Sequence, residues 1–227
     1  PPIPMVMRDQ FDDLILQHAR AEVRAGCTVV NVEQGQEDVT VETRSGDSFH
    51  ARYLIGADGA NSRVARSVGL RQNRPIGIAI EVEAPVDEAL LQAYAETALF
   101  IFGTPPHGYI WIFPKARHLS IGIGSFVGEG AALERTLRRE MMRLDIDIDG
   151  AQRQGHPLPI YTQHERLHNG RVLLAGDSAG LMDPLTGEGI RHAIDSGRLA
   201  AHAVLSQESA GYTRRIHREL GRSLRWG

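Results

Sequence analysis

The stretch Gly170–Ile190, GRVLLAGDSAGLMDPLTGEGI, constrains the fold more than any other. Val172, Leu173, Leu174 and Ala175 form an unbroken apolar run, which predicts a short strand covered on both faces in a parallel sheet. Gly176 and Asp177 fall at its carboxyl end. That edge of an open α/β sheet is where ligands bind, and a carboxylate there accepts hydrogen bonds from ribose or ribityl hydroxyls. Pro184, Gly187 and Gly189 then precede the helical pattern AIDSGRLAAHAVL. Bare backbone N–H groups therefore meet at a helix N-terminus, a setting that stabilises an anionic or polarised ligand edge. Read purely locally, the same residues make a tight turn with Thr186 or Glu188 as a helix cap.

A second stretch, GADGANSRVAR from Gly56 to Arg66, repeats the logic. A strand delivers Asp58 and Gly59 to a turn, and Ser62 or Asn61 caps the short helix that follows. Upstream, Phe11, Leu14, Ile15 and Ala19 keep helical spacing and predict a helix over 9–20, with Ala21 to Val23 as a short parallel strand. TVVNVEQ, DVTVET and SFHARYLIGAD read as strands of a small antiparallel meander, with a hairpin turn at Ser45 and Gly46.

In that order the two motifs resemble those of the p-hydroxybenzoate hydroxylase-like flavoprotein superfamily, and in particular of the geranylgeranyl reductase family. The resemblance implies FAD as cofactor, with Asp177, Pro184, Gly187, Gly189 and Ile190 in its second contact motif and Asp58 and Gly59 near its pyrophosphate. It also implies that Arg8, just before the Phe11–Asp12 pair, contacts the cofactor. A guanidinium suits phosphate as a permanently charged fork of donors. Val29 is expected to offer its backbone to the adenine. A Gly-Ala that the family carries before Glu22 is absent here, which shortens that helix.

Between the motifs the texture changes. RPIGIAIEVEA, ALFIFG, HGYIWIFPK and LSIGIGSF read as an antiparallel sheet. Tyr109, Trp111, Phe113 and Pro114 are followed after seven residues by Gly122 and Gly124. This pattern, Tyr-x-Trp-x-Phe-Pro and then Gly-x-Gly, resembles the signature of geranylgeranyl reductases, whose strands wall the isoprenoid cavity. A period of two puts Tyr109, Trp111 and Phe113 on one face, where aromatic rings give a greasy chain large apolar contact. Gly122, Gly124 and Gly128 do not have dinucleotide-loop spacing and continue a strand, so they are not assigned to phosphate. The family's Gly-x-Gly-x-x-Gly unit is absent. The chain is therefore expected to start roughly a hundred residues into the family pattern, about the size of a small domain.

Composition excludes more than it selects. The formal net charge of −3 leaves no nucleic-acid footprint, and no apolar run approaches membrane-spanning length. The single cysteine, Cys27, excludes an internal disulfide and fits a reducing, cytoplasmic compartment. Glu129 to Leu144 predicts an amphipathic helix. Asp145, Asp147 and Asp149 read as a solvated turn, and the histidines show no zinc spacing, so no metal is assigned. The tail from Tyr212 holds five arginines against one glutamate and leaves peripheral contact with anionic lipid open.

The expected architecture is α/β, and α+β overall: an incomplete Rossmann-like FAD-binding domain over 1–72 and 166–227, with an inserted antiparallel substrate sheet over 73–165. The implied activity is FAD-dependent reduction of isoprenoid carbon–carbon double bonds, with NADPH or another external electron donor and no side chain marked as proton donor. The alternatives are a flavin monooxygenase or halogenase, whose related Trp-x-Trp-x-Ile-Pro run differs here at Tyr109 and Phe113, and an inactive fragment without bound FAD.

Overall fold

The computed structural model describes residues 5–70, 75–127 and 129–225; Gly128, one of the three glycines set aside above, lies outside them. The chain forms two compact units, Pro1–Val23 with Gly77–Pro157 and Arg24–Ile76 with Leu158–Gly227. The chain passes between them three times, where the sequence pattern suggested two crossings. The added crossing arises because the N-terminal segment belongs with the sheet unit, where Lys115 Nζ donates to Val6 O at 2.8 Å.

The sheet unit begins with α1 (Arg8–Gln17), shorter than the expected 9–20. None of its residues is buried, so the apolar stripe of Leu14 and Ile15 stays exposed. Ala21–Val23 is not a strand: among the described residues nothing offers it a ladder, and an extended segment without a partner leaves its N–H and C=O groups to water. The sheet itself comprises β5 (Ile76–Pro85), β6 (Leu99–Phe102), β7 (Gly108–Pro114), β8 (His118–Ser125) and β9 (Gln152–Pro159), in the order β6-β7-β8-β5-β9. The pairs β6–β7, β7–β8 and β5–β8 are antiparallel, as the alternating pattern requires.

One face of this sheet is a dry core. Val82, Ile110, Ile112, Leu119, Ile121 and Ile123 pack against Leu133, Leu137 and Met141 of α4 (Gly130–Arg143). Each such buried side chain contributes about 1.5–3 kcal/mol by leaving water. Two elements escaped the sequence reading. α3 (Glu88–Tyr94) is capped by Asp87, whose carboxylate accepts from Leu90 N at 2.8 Å; its acidic start was the available signal. β9, QRQGHPLP, is polar and carries prolines, which a sheet tolerates at the edge position it occupies.

The second unit opens with the expected meander: β1 (Val29–Gln34), β2 (Val39–Thr43) and β3 (Ser48–Ala51), all antiparallel. SFHARYLIGAD is two strands rather than one. Past Arg52 and Tyr53 the chain leaves the meander as β4 (Leu54–Gly56), which pairs in parallel with β11 (Val172–Leu174), while β10 (His168–Asn169) covers the far edge of β11. Helices α2 (Arg63–Ser67), α5 (Ile190–Leu205) and α6 (Tyr212–Glu219) complete the unit. Its core joins Val172, Leu173 and Leu174 to Leu199, Ala203, Tyr212 and Ile216.

Candidate functional site

The two glycine–aspartate motifs, far apart in sequence, end on neighbouring parallel strands. Leu54, Ile55 and Gly56 pair with Val172, Leu173 and Leu174, and Ala175 N donates to Gly56 O at 2.9 Å. Ser178 staples the two strand ends together, its Oγ donating to Gly56 O at 2.5 Å and to Ala175 O at 2.7 Å. Gly56 is required for this closeness, since a Cβ there would lie 2.8 Å from Val64 Cγ1 and 2.9 Å from Leu174 Cδ2.

Beyond β11 the backbone turns through a short 3-10 helix, Gly176–Ala179, with Gly176 at φ 59° and Gly180 left-handed. Gly176 N donates to Ser196 Oγ at 2.9 Å, and the buried Tyr212 hydroxyl donates to Leu174 O at 2.6 Å. Burial pushes that phenol well above its ordinary pKa, so it stays a donor at any physiological pH. Ser178, Ser196 and Tyr212 are thus the clamps that hold Asp177 at the strand end. Sequence reasoning missed them because each acts across a long sequence separation.

Asp177 stands half-buried facing the start of α5. A Cβ added to Gly189 would lie 3.3 Å from Asp177 Oδ1, so a side chain there would crowd the carboxylate. Asp183 Oδ1 shapes the intervening loop by accepting from Leu185 N and Thr186 N. Gly187 takes φ 70°. Thr186 Oγ1 accepts from Glu188 N at 3.2 Å and does not cap the helix; the N-cap Gly189 has no side-chain cap either. The first N–H groups of α5 therefore lack both intrahelical and capping partners, and the helix dipole adds its positive end there. A carboxylate next to such a terminus, on a glycine-lined approach, fits a flavin dinucleotide: hydroxyls for Asp177, and an electron-rich ring edge for the Gly189 and Ile190 amides.

The other motif carries a different message. Asp58 Oδ2 accepts from Arg63 N at 2.6 Å and Val64 N at 3.0 Å, while Ser62 Oγ donates to Asp58 Oδ1 at 2.5 Å and accepts from Ala65 N at 2.9 Å. Asp58 is engaged as a helix cap, with Gly59 supplying φ 77° in the turn. Val29 opens β1 at a register shift, half-buried against the core. Arg8 lies in the sheet unit, where its guanidinium grips Asp12 through both carboxylate oxygens, at 3.1 and 2.8 Å, and lowers that carboxyl's pKa. Pro184 sits half-buried in the turn before Gly187.

The sheet unit presents the aromatic residues together. Tyr109, Trp111 and Phe113 share the face opposite the dry core, joined by Phe100 and Phe102 of β6, with neighbouring ring centroids 5.3–6.4 Å apart. The register explains the glycines of the signature. Trp111 pairs with Gly122 and Tyr109 with Gly124. A Cβ on Gly122 would run into the Trp111 indole, so the glycine is the slot in which that ring lies. Phe100 and Phe102 were legible as alternate positions of ALFIFG but were not assigned to the wall.

Asp147 Oδ1 accepts from Asp149 N and Asp149 pairs with Arg138, so these two carboxylates belong to local structure. Among the described residues no three His, Cys, Asp or Glu side chains are grouped to hold a metal, and no helix is long and apolar enough to cross a membrane.

A parallel strand end with its carboxylate set against a helix N-terminus suits a flavin dinucleotide, and the fold matches that of the p-hydroxybenzoate hydroxylase-like flavoproteins. The chain belongs to the FAD binding domain family, which matches residues 4–207, and within it resembles the geranylgeranyl reductases. The chloroplastic geranylgeranyl diphosphate reductase of Arabidopsis thaliana is 33% identical over 231 residues, 92% of this chain and 48% of that protein. A geranylgeranyl bacteriochlorophyll reductase-like structure from Thermoplasma acidophilum superposes with a TM-score of 0.78 at 24% identity, over 96% of this chain and 60% of that one. The flavin-dependent halogenase CmlS shares the fold at 21% identity and a TM-score of 0.66, over 94% of this chain and 44% of its own. At those identities the two structures speak for the fold alone. The chain spans about half the length of the curated relatives it matches.

Proposed function

We propose that this protein is an FAD-dependent reductase of carbon–carbon double bonds in an isoprenoid of geranylgeranyl type. The observation that carries the reading is the five-ring face of β6 and β7 with its slot at Gly122, a surface suited to a long apolar chain and poor in hydrogen-bond demands. FAD, when bound, supplies the two-electron chemistry. Asp177 accepts hydrogen bonds from its polyol hydroxyls, and the Gly189 and Ile190 amides hold the flavin edge where negative charge grows on reduction. Pro184 and Gly187 shape that loop; Gly59, with Asp58 positioning it, and the Val29 backbone complete the cofactor contacts. Arg8, a permanently charged fork of donors, is the candidate phosphate contact. Tyr109, Trp111 and Phe113 receive the substrate. NADPH or another external donor re-reduces the cofactor.

The test is product mass under strictly anaerobic conditions. The full-length protein, photoreduced and mixed with a geranylgeranyl substrate, should reoxidise its flavin and yield product heavier by two hydrogens per reduced double bond. Turnover confined to air, with oxygen or halogen added to the product, would instead establish the monooxygenase or halogenase chemistry whose fold CmlS shares.

A further inference from the structure

The aromatic face has a second half. Across the strand order β7-β8-β5, Trp111 is followed by Gly122 and then Glu81, and Phe113 by Ser120 and then Glu83. Each row thus runs from a ring, through a residue with little or no side chain, to a carboxylate on the same face. Strands lie about 4.8 Å apart. The Trp111 indole already spreads over Gly122, so the carboxylates border the wall directly.

These acids are held in place. Ser120, itself 1% exposed, donates through Oγ to Glu81 Oε1 at 2.6 Å. His156 Nε2 lies 3.6 Å from Glu81 Oε2, and His118 Nε2 pairs with Glu83 Oε2. Among the described residues no lysine or arginine pairs with either carboxylate; the side chains keep about a third of their surface, 32% and 37%, exposed, with Glu83 Oε2 itself buried against His118. The strand amides here are spent in the sheet ladders. The imidazoles of His118 and His156 are already set against the carboxylates, so among the described residues this half offers a diphosphate no fixed cation. Carboxylates that accept hydrogen bonds match a hydroxyl.

Resting on the isoprenoid reading of the wall, we propose that Glu81 and Glu83 determine specificity: the polar end of the isoprenoid taken here is an uncharged hydrogen-bond donor, alcohol-like, and a diphosphate end is repelled. The acids border the apolar site and set which head group can follow the chain into it, with Ser120, His118 and His156 as the residues that position them.

Full-length, FAD-loaded protein is titrated with geranylgeraniol and with geranylgeranyl diphosphate in the same detergent, following tryptophan quenching and the flavin spectrum. The alcohol should bind at least about tenfold more tightly, as expected from several weak like-charge contacts. Raising salt to about 1 M should narrow the gap by screening the repulsion. Glu81→Gln with Glu83→Gln, which keeps shape and removes charge, should narrow it further by raising affinity for the diphosphate, with FAD content reporting that the fold is intact. A wild-type preference for the diphosphate, or a ratio unmoved in the double variant, overturns the specificity assignment and leaves the isoprenoid wall standing. Failure of both lipids to bind overturns the wall and the assignment together.

Discussion

Both units depend on glycine, and for opposite reasons. In the parallel-strand unit glycine serves the backbone: Gly176, Gly180 and Gly187 take positive φ, so the chain can turn at the end of β11 and aim amides outward at the start of α5. In the antiparallel sheet glycine serves the neighbours. Gly122 makes room for the Trp111 ring, and Gly108 lets its strand approach the Gly124 carbonyl. A Gly-x-Gly pair is therefore ambiguous until its surroundings are known. In one place it lets the backbone turn ahead of a helix; in the other it is a slot for a side chain.

The sharpest way to break this comparison is to add one methyl group. Gly108→Ala should cost about 3 kcal/mol or more, because the new Cβ meets backbone that cannot move aside. Gly122→Ala should cost less, about 1–3 kcal/mol, because its obstacle is a side chain. In denaturant titrations Trp111→Ala should rescue Gly122→Ala, with a coupling of about 1–2 kcal/mol, and should leave Gly108→Ala unrescued. Equal rescue of both would mean that the two glycines do the same job.

On the other side of the comparison the expected loss is in binding rather than folding. Asp177→Ala in the full-length protein should weaken FAD by about 1.5–3 kcal/mol through the lost charged acceptor. Flavin fluorescence titration measures it. An unchanged dissociation constant would remove Asp177 from the cofactor site.

The smallest effect concerns the edge of the parallel pair. Burial, with Arg166 nearby, holds the His168 imidazole below its ordinary 6.5. Below that pH the unfolded chain takes up the proton first, so stability should fall as pH drops through 6.5. At this partly exposed site the change should be small, because solvent screens it. Thermal unfolding of His168→Gln should lose that slope; an identical pH profile would place the titration elsewhere.

How much was legible follows from the range of each interaction. The apolar run Val172–Ala175, the period-two ring pattern of β7 and the helix after Gly189 are local, and each is written in consecutive residues. That a carboxylate, Asp177, follows the strand directly is legible in the same way. Other features depend on which strand meets which, and on register. Sequence could not say that Asp58 would be occupied by Ser62 and two helix amides, or that Ser178 would staple one motif to the other. Nor could it set Glu81 and Glu83 beside the rings. Strand patterns fix which face a side chain takes within its own strand, but long-range burial chooses the neighbour, and a one-residue slip would have moved every one of these groups to the other face.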